Sequence, residues 1–128
     1  MNYQQQANEF AAKNNIQLVI NGCEYKKHFA DDTQCRYVFN CTLKHNGKRY
    51  TFNFGQSLAA GTQEPTMYDV LTCLEKYPVG SFDDFCGNFG YDNDSIKAHR
   101  IYKAVAKEYK NMLRVFGADI LEQMQEIQ

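Results

Sequence analysis

The chain predicts an α+β fold: a three-stranded antiparallel β-meander packed against a helical C-terminal half, with a short N-terminal helix in front. Three observations point there. Between Ile16 and Phe54 apolar and polar residues alternate with the period of a strand, the pair Asn46-Gly47 separates two of the alternating runs, and beyond Pro65 the apolar residues recur at helical spacing behind three helix-start signals. At 128 residues a single domain is expected over 1–128, with 1–15 as the N-terminal helix, 16–56 as the meander and 65–128 as the helical half. An apolar content of 44%, with nine Tyr and nine Phe against two Pro, excludes a disordered chain and makes aromatics the expected bulk of the core.

The elements follow in order. Tyr3 to Asn14 consists of good helix formers, with Tyr3, Ala7, Phe10 and Ala11 toward one face, and Asn14-Asn15 is a natural stop because Asn tolerates the left-handed conformation. Ile16 to Phe29 reads as a first strand, bulged at Gly22. After a turn at Asp31-Asp32, Tyr37, Phe39, Cys41 and Leu43 point to the core, and Arg36, Val38, Asn40 and Thr42 point away. Asn46-Gly47 favours positive φ at both turn positions, so Tyr50, Phe52 and Phe54 continue the buried face on a third strand.

Thr66 with Asp69 has the pattern of a capping box, and Met67, Val70, Leu71 and Leu74 form the stripe of a helix ending near Tyr77-Pro78. Ser81 with Asp84 repeats the device ahead of a short helix that Gly90 ends. Ser95 opens the longest helix, to Phe116, with Ala98, Ile101, Tyr102, Val105, Tyr109, Met112, Leu113 and Phe116 on its apolar face. Gly117 separates it from a last helix over Ala118 to Ile127.

No apolar run approaches the roughly 20 residues of a membrane span, and Met1 to Phe10 is polar where a secretory signal is basic and then apolar. The five cysteines include no C-x-x-C pair and each lies in an apolar pattern, so they are expected as buried thiols in a reducing cytoplasm. No metal and no cofactor is expected. Asp92-Asn93-Asp94 imitates the start of a calcium loop, but Ile96, Lys97 and Lys103 stand where a ligand, a Gly and a Glu are needed, and helix capping accounts for the acids. No nucleophile elbow, zinc-protease helix or phosphate loop occurs, and the chain reads as a non-enzyme. An enzymatic site would have to be assembled from distant residues such as His28, Cys35 or His99.

One charge pattern stands out. Arg100, Lys103, Lys107, Lys110 and Arg114, with Lys97 before them, recur at intervals of three and four along the longest helix, where Glu108 is the one acid. Six cations and one acid give that helix about +5, and a net charge of −1 for the chain leaves about −6 on the remainder. A solvated helix face, a phosphate-binding ridge and a docking ridge for an acidic protein all have this pattern; the absence of any helix-turn-helix or RNA-recognition signature and a pI near 6.3 disfavour nucleic acid. The outward side of the sheet and its two edges are further candidate surfaces, an edge being a route to a homodimer.

The stretch from Pro65 to Tyr102 resembles a group of small bacteriophage and prophage open reading frames that carry P-T-x-Y-D-V-L-x-C-L followed by F-x-x-F-C-x-x-F-G-Y-D-x-D-S. The matching positions are Pro65, Thr66, Tyr68, Asp69, Val70, Leu71, Cys73 and Leu74, then Phe82, Phe85, Cys86, Phe89, Gly90, Tyr91, Asp92, Asp94 and Ser95, then Lys97, Ala98 and Tyr102. The resemblance implies a small protein made in the cytoplasm of a bacterial host, of a size at which such proteins act stoichiometrically on host machinery, anti-CRISPR proteins among them. The implied partner is a host defence protein such as a CRISPR effector. Blocking an effector's nucleic-acid channel by mimicry would use Asp31, Asp32, Glu64, Asp83, Asp84, Asp92 and Asp94; engaging an acidic surface would use Lys97, Arg100, Lys103, Lys107, Lys110 and Arg114, which are better organised.

Overall fold

The structure, a computed structural model, describes residues 2–26, 36–56, 59–74 and 80–127. Phe29, the turn at Asp31-Asp32, Cys35, His28 and the segment around Tyr77-Pro78 lie outside the described residues. The expected α+β class is found: the described residues form a helix, three antiparallel strands in the order β1-β2-β3, then four helices. The chain forms two compact units, 1–74 with 126–128, and 75–125.

The first unit holds α1 (Tyr3–Lys13), β1 (Ile16–Lys26), β2 (Arg36–His45), β3 (Lys48–Gln56) and α2 (Met67–Cys73). Asn2 caps α1: its Oδ1 accepts from the Gln5 N–H at 2.8 Å while its own N–H donates to Gln5 Oε1 at 3.0 Å. Asn15, at φ 57°, turns the chain into β1. Asn46 and Gly47, at φ 49° and 82°, close a two-residue hairpin that sets the β2–β3 register, with Leu43 opposite Tyr50, Cys41 opposite Phe52 and Phe39 opposite Phe54. Phe39, Cys41, Leu43, Tyr50 and Phe52 are buried on this face, and each large side chain withdrawn from water contributes about 2 kcal/mol. The face continues through Ile16 and His45, both buried.

The Gly22 bulge is present. Ile20 pairs with Cys41 and Gly22 with Asn40, which leaves Asn21 as the extra residue. The opposite face is drier than the alternation predicts: Thr42 is buried and Val38 is 3% exposed, on the central strand with neighbours on both sides. For Thr42 the cover is visible, because its Oγ1 accepts from Asn21 Nδ2 at 2.9 Å and lies 3.0 Å from Thr51 Oγ1.

At α2 the capping box is complete, Thr66 Oγ1 accepting from the Asp69 N–H at 3.2 Å and Asp69 Oδ2 from the Thr66 N–H at 2.9 Å. This helix stops at Cys73, short of the expected end, with Leu74 already extended. Its last carbonyls have side-chain donors instead of a further turn: Thr72 Oγ1 donates to Tyr68 O at 2.8 Å and Cys73 Sγ to Val70 O at 3.1 Å. Helix α1 packs on α2 and β1, with Tyr3 stacked on Tyr68 at 5.6 Å and Ala7, Ala11, Val70 and Leu71 buried.

The second unit holds α3 (Phe82–Phe89), α4 (Ile96–Phe116) and α5 (Ala118–Met124). Ser81 and Ser95 cap α3 and α4 through Asp84 N–H and Ala98 N–H, both at 3.2 Å. Gly90, left-handed at φ 74°, ends α3, and Gly117 at φ 82° is the corner between α4 and α5. Phe85, Cys86 and Ala98 form a buried cluster ringed by Phe82, Tyr91, Ile101 and Tyr102, in which Tyr102 meets Phe82 and Phe85 edge to face at 5.5 and 5.4 Å. Met112, Val115, Phe116, Leu121 and Met124 are buried as well. Leu113, expected on the apolar face of α4, is 38% exposed instead, because it sits one helical step beyond Met112 at the margin of the stripe.

Candidate functional site: the cationic face of α4

Helix α4 positions the six cations. At about 100° per residue, Arg100, Lys103, Lys107, Lys110 and Arg114 fall within an arc of about 80° and extend over about 21 Å of the axis, while Lys97 stands about 60° from Arg100. All six are exposed. Ala98, Met112 and Phe116 are buried on roughly the opposite side, so the packing of the helix aims the charged arc outward. The structure thus brings five of the predicted residues into one line and leaves Lys97 beside it.

Two neighbours of that line escape a reading of charge alone. His99, next to Arg100 and one turn before Lys103, is exposed and lies flat on Phe82 with ring centroids 3.8 Å apart and planes 16° from parallel. Ile96, one turn before Arg100, is 86% exposed. The signal for Ile96 is in the sequence, since at about 100° per residue it falls opposite Ala98, Val105 and Met112. The His99–Phe82 stack depends on the turn between α3 and α4 and has no local signature.

Of the acids, Asp83, Asp84, Asp92 and Asp94 are exposed in the second unit and Glu64 in the first; Asp31 and Asp32 lie outside the described residues. Asp92 Oδ1 accepts from the Asp94 N–H at 3.1 Å, the local turn that leads into the Ser95 cap.

The thiols differ from expectation. Cys41 and Cys86 are buried, but Cys23 and Cys73 are exposed, because β1 is an edge strand there and Cys73 ends its helix on the outer side. Burial, with the negative charge of Glu64 adding to it, pushes the Cys41 thiol up to about 11. The Cys86 thiol is raised by burial and then by Asp83 and Asp92. Both stay protonated at neutral pH, where the nucleophilic form of a cysteine is the thiolate. Among the described residues, no group of three His, Cys, Asp or Glu side chains is placed to hold a metal ion, and no helix is long and apolar enough to cross a membrane.

The outward side of the sheet carries a row of amides. Asn21 Nδ2 donates to Asn40 Oδ1 at 2.9 Å and Asn40 Nδ2 to Asn53 Oδ1 at 3.1 Å, so the row crosses all three strands. Beside it is a half-open hollow of about 240 Å³ with Val38, Glu24, Lys26 and Asn40 on its walls.

No family model matches this chain, and neither a curated protein nor a solved structure matches it.

Proposed function

We propose that this chain is a non-enzymatic binding protein that uses the outward face of α4 to occupy an acidic surface of a protein partner. On the resemblance of Pro65 to Tyr102 to phage and prophage proteins, the partner is a host defence component, in the manner of an anti-CRISPR protein acting on a CRISPR effector. One observation carries this: five exposed cations of the same sign share one arc of one helix in a chain whose net charge is −1.

The spacing costs the helix something. Lys103–Lys107 and Lys107–Lys110 are like-charge neighbours one turn apart, each unfavourable by about 0.2–0.5 kcal/mol, for a sum of about 0.4–1 kcal/mol. Neighbouring charges are about 5 Å apart along the axis, closer than the Debye length of about 8 Å in physiological salt, so their fields add at the surface. An acidic partner relieves that repulsion and is steered to the face.

The test is the triple variant Lys103→Glu/Lys107→Glu/Lys110→Glu, compared with the unsubstituted chain as bait in host lysate. The variant loses the proteins retained by the unsubstituted chain, and its melting temperature does not fall. An unchanged set of retained proteins would refute the assignment. Nucleic-acid binding is the second possibility, favoured by the His99–Phe82 stack, on which an unpaired base can lie next to the cations. It predicts affinity for oligothymidylate that falls with a log–log salt slope of about −3 to −4 if all five cations engage.

A further inference from the structure

The structure assigns Ile96 as the apolar anchor of the α4 surface, and with it a protein partner whose acidic surface carries an apolar socket at one end. The assignment rests on the proposed role of the cationic face and adds what the partner must look like. Ile96 is the most exposed large apolar side chain among the described residues, ahead of Phe89, Tyr25 and Tyr3. Its position within the helix does not account for it. A hydrophobic staple joins the residue before the cap to the fourth helical residue, here Asp94 and His99, and Ile96 is neither. A β-branched residue in the first turn also brings no helix propensity.

Its direction is what ties it to the cations. Eighteen residues are five turns of α-helix, so Ile96 and Arg114 lie on the same line along the axis, and Arg100, Lys103, Lys107 and Lys110 flank that line between them. The arc therefore reads, from the N-terminal end, as one apolar group followed by about 21 Å of positive charge. Ile96 leaves water only against a complementary apolar surface. Protein interfaces combine these two features: a buried apolar anchor supplies affinity, and surrounding charges supply steering and register. A phosphate backbone offers the negative charge without the socket.

The experiment uses the full chain and two labelled polymers, polyglutamate and a glutamate–tyrosine copolymer, followed by fluorescence anisotropy. The unsubstituted chain binds the copolymer about tenfold more tightly than polyglutamate, the worth of burying roughly half an isoleucine side chain. Ile96→Ser removes that preference and leaves polyglutamate affinity in place; the exposed position leaves the fold intact. Lys103→Glu/Lys107→Glu weakens binding of both polymers. A preference that survives Ile96→Ser overturns the anchor while the cationic face stands. Polymer binding indifferent to the lysine substitutions, or absent from the unsubstituted chain, overturns the cationic face and the anchor with it. Oligothymidylate affinity lowered tenfold by Ile96→Ser assigns the anchor to nucleic acid and likewise overturns the inference.

Discussion

Alkaline pH should destabilise the sheet through Cys41, and the size of the effect follows from its surroundings. Cys41 lies on the central strand between Ile20 and Phe52 with no exposed surface, and its thiol is pushed from 9.0 up to about 11 by burial first and by Glu64 second. The folded chain holds the proton up to about pH 11, whereas the unfolded chain releases it near pH 9. The folded state therefore binds more protons in that interval, and stability, intact below about pH 9, is lost as pH rises toward 11. Each pH unit costs up to about 1.4 kcal/mol, so about 2 kcal/mol is gone by pH 11. Tyrosines and lysines titrate in the same range, so the perturbation that isolates the thiol is Cys41→Ala, measured by urea unfolding under reductant from about pH 8 to about pH 11. At the lower end the variant should be less stable by about 1 kcal/mol for its lost packing. The two stabilities should cross near about pH 10, and the variant should be the more stable above it. A constant gap across the interval refutes the reasoning.

Thr66→Ala should lower stability by about 1 kcal/mol, and Asp69→Ala, which removes the reciprocal bond, by a similar amount; because the two side chains form one box, the double variant should cost less than the sum, as urea unfolding of all three will show. Asn40→Ala breaks the amide row on both sides and should cost about 1 kcal/mol, the net worth of its two exposed hydrogen bonds; an unchanged urea midpoint would count against any structural role for the row.

Where a local rule has one outcome, residue pattern and structure agree. Asn46-Gly47 specifies its turn, Thr66 and Ser95 specify their helix starts, Gly90 specifies an end, and the position of Gly22 specifies the bulge. The cationic arc was legible for the same reason, since helical spacing converts sequence intervals directly into direction. What escaped depends on neighbours remote in the chain. Val38 has the parity of a solvent-facing residue and is buried; Cys23 has the parity of a core residue and is exposed, because alternation tells which side a residue takes and not whether that side is covered. The early stop of α2 depends on Thr72 and Cys73 bonding back to carbonyls one turn earlier, a competition that the apolar stripe does not report.

The extra residue in β1 makes the chemistry of that edge a matter of counting. Ahead of Asn21 the odd-or-even rule that assigns each residue its side runs one way, and after it the other, so that Cys23 and Tyr25 share a side with Phe39, and Glu24 and Lys26 share one with Asn40. Loss of Asn21 alone would leave Ile20 opposite Cys41 and Gly22 opposite Asn40, so both pairs would keep their sides and only the bulge would go. Loss of a second residue would exchange the two pairs, presenting a carboxylate and an ammonium to the aromatic layer. The bulge is therefore a one-residue allowance in the length of β1, a constraint that no single substitution can reveal.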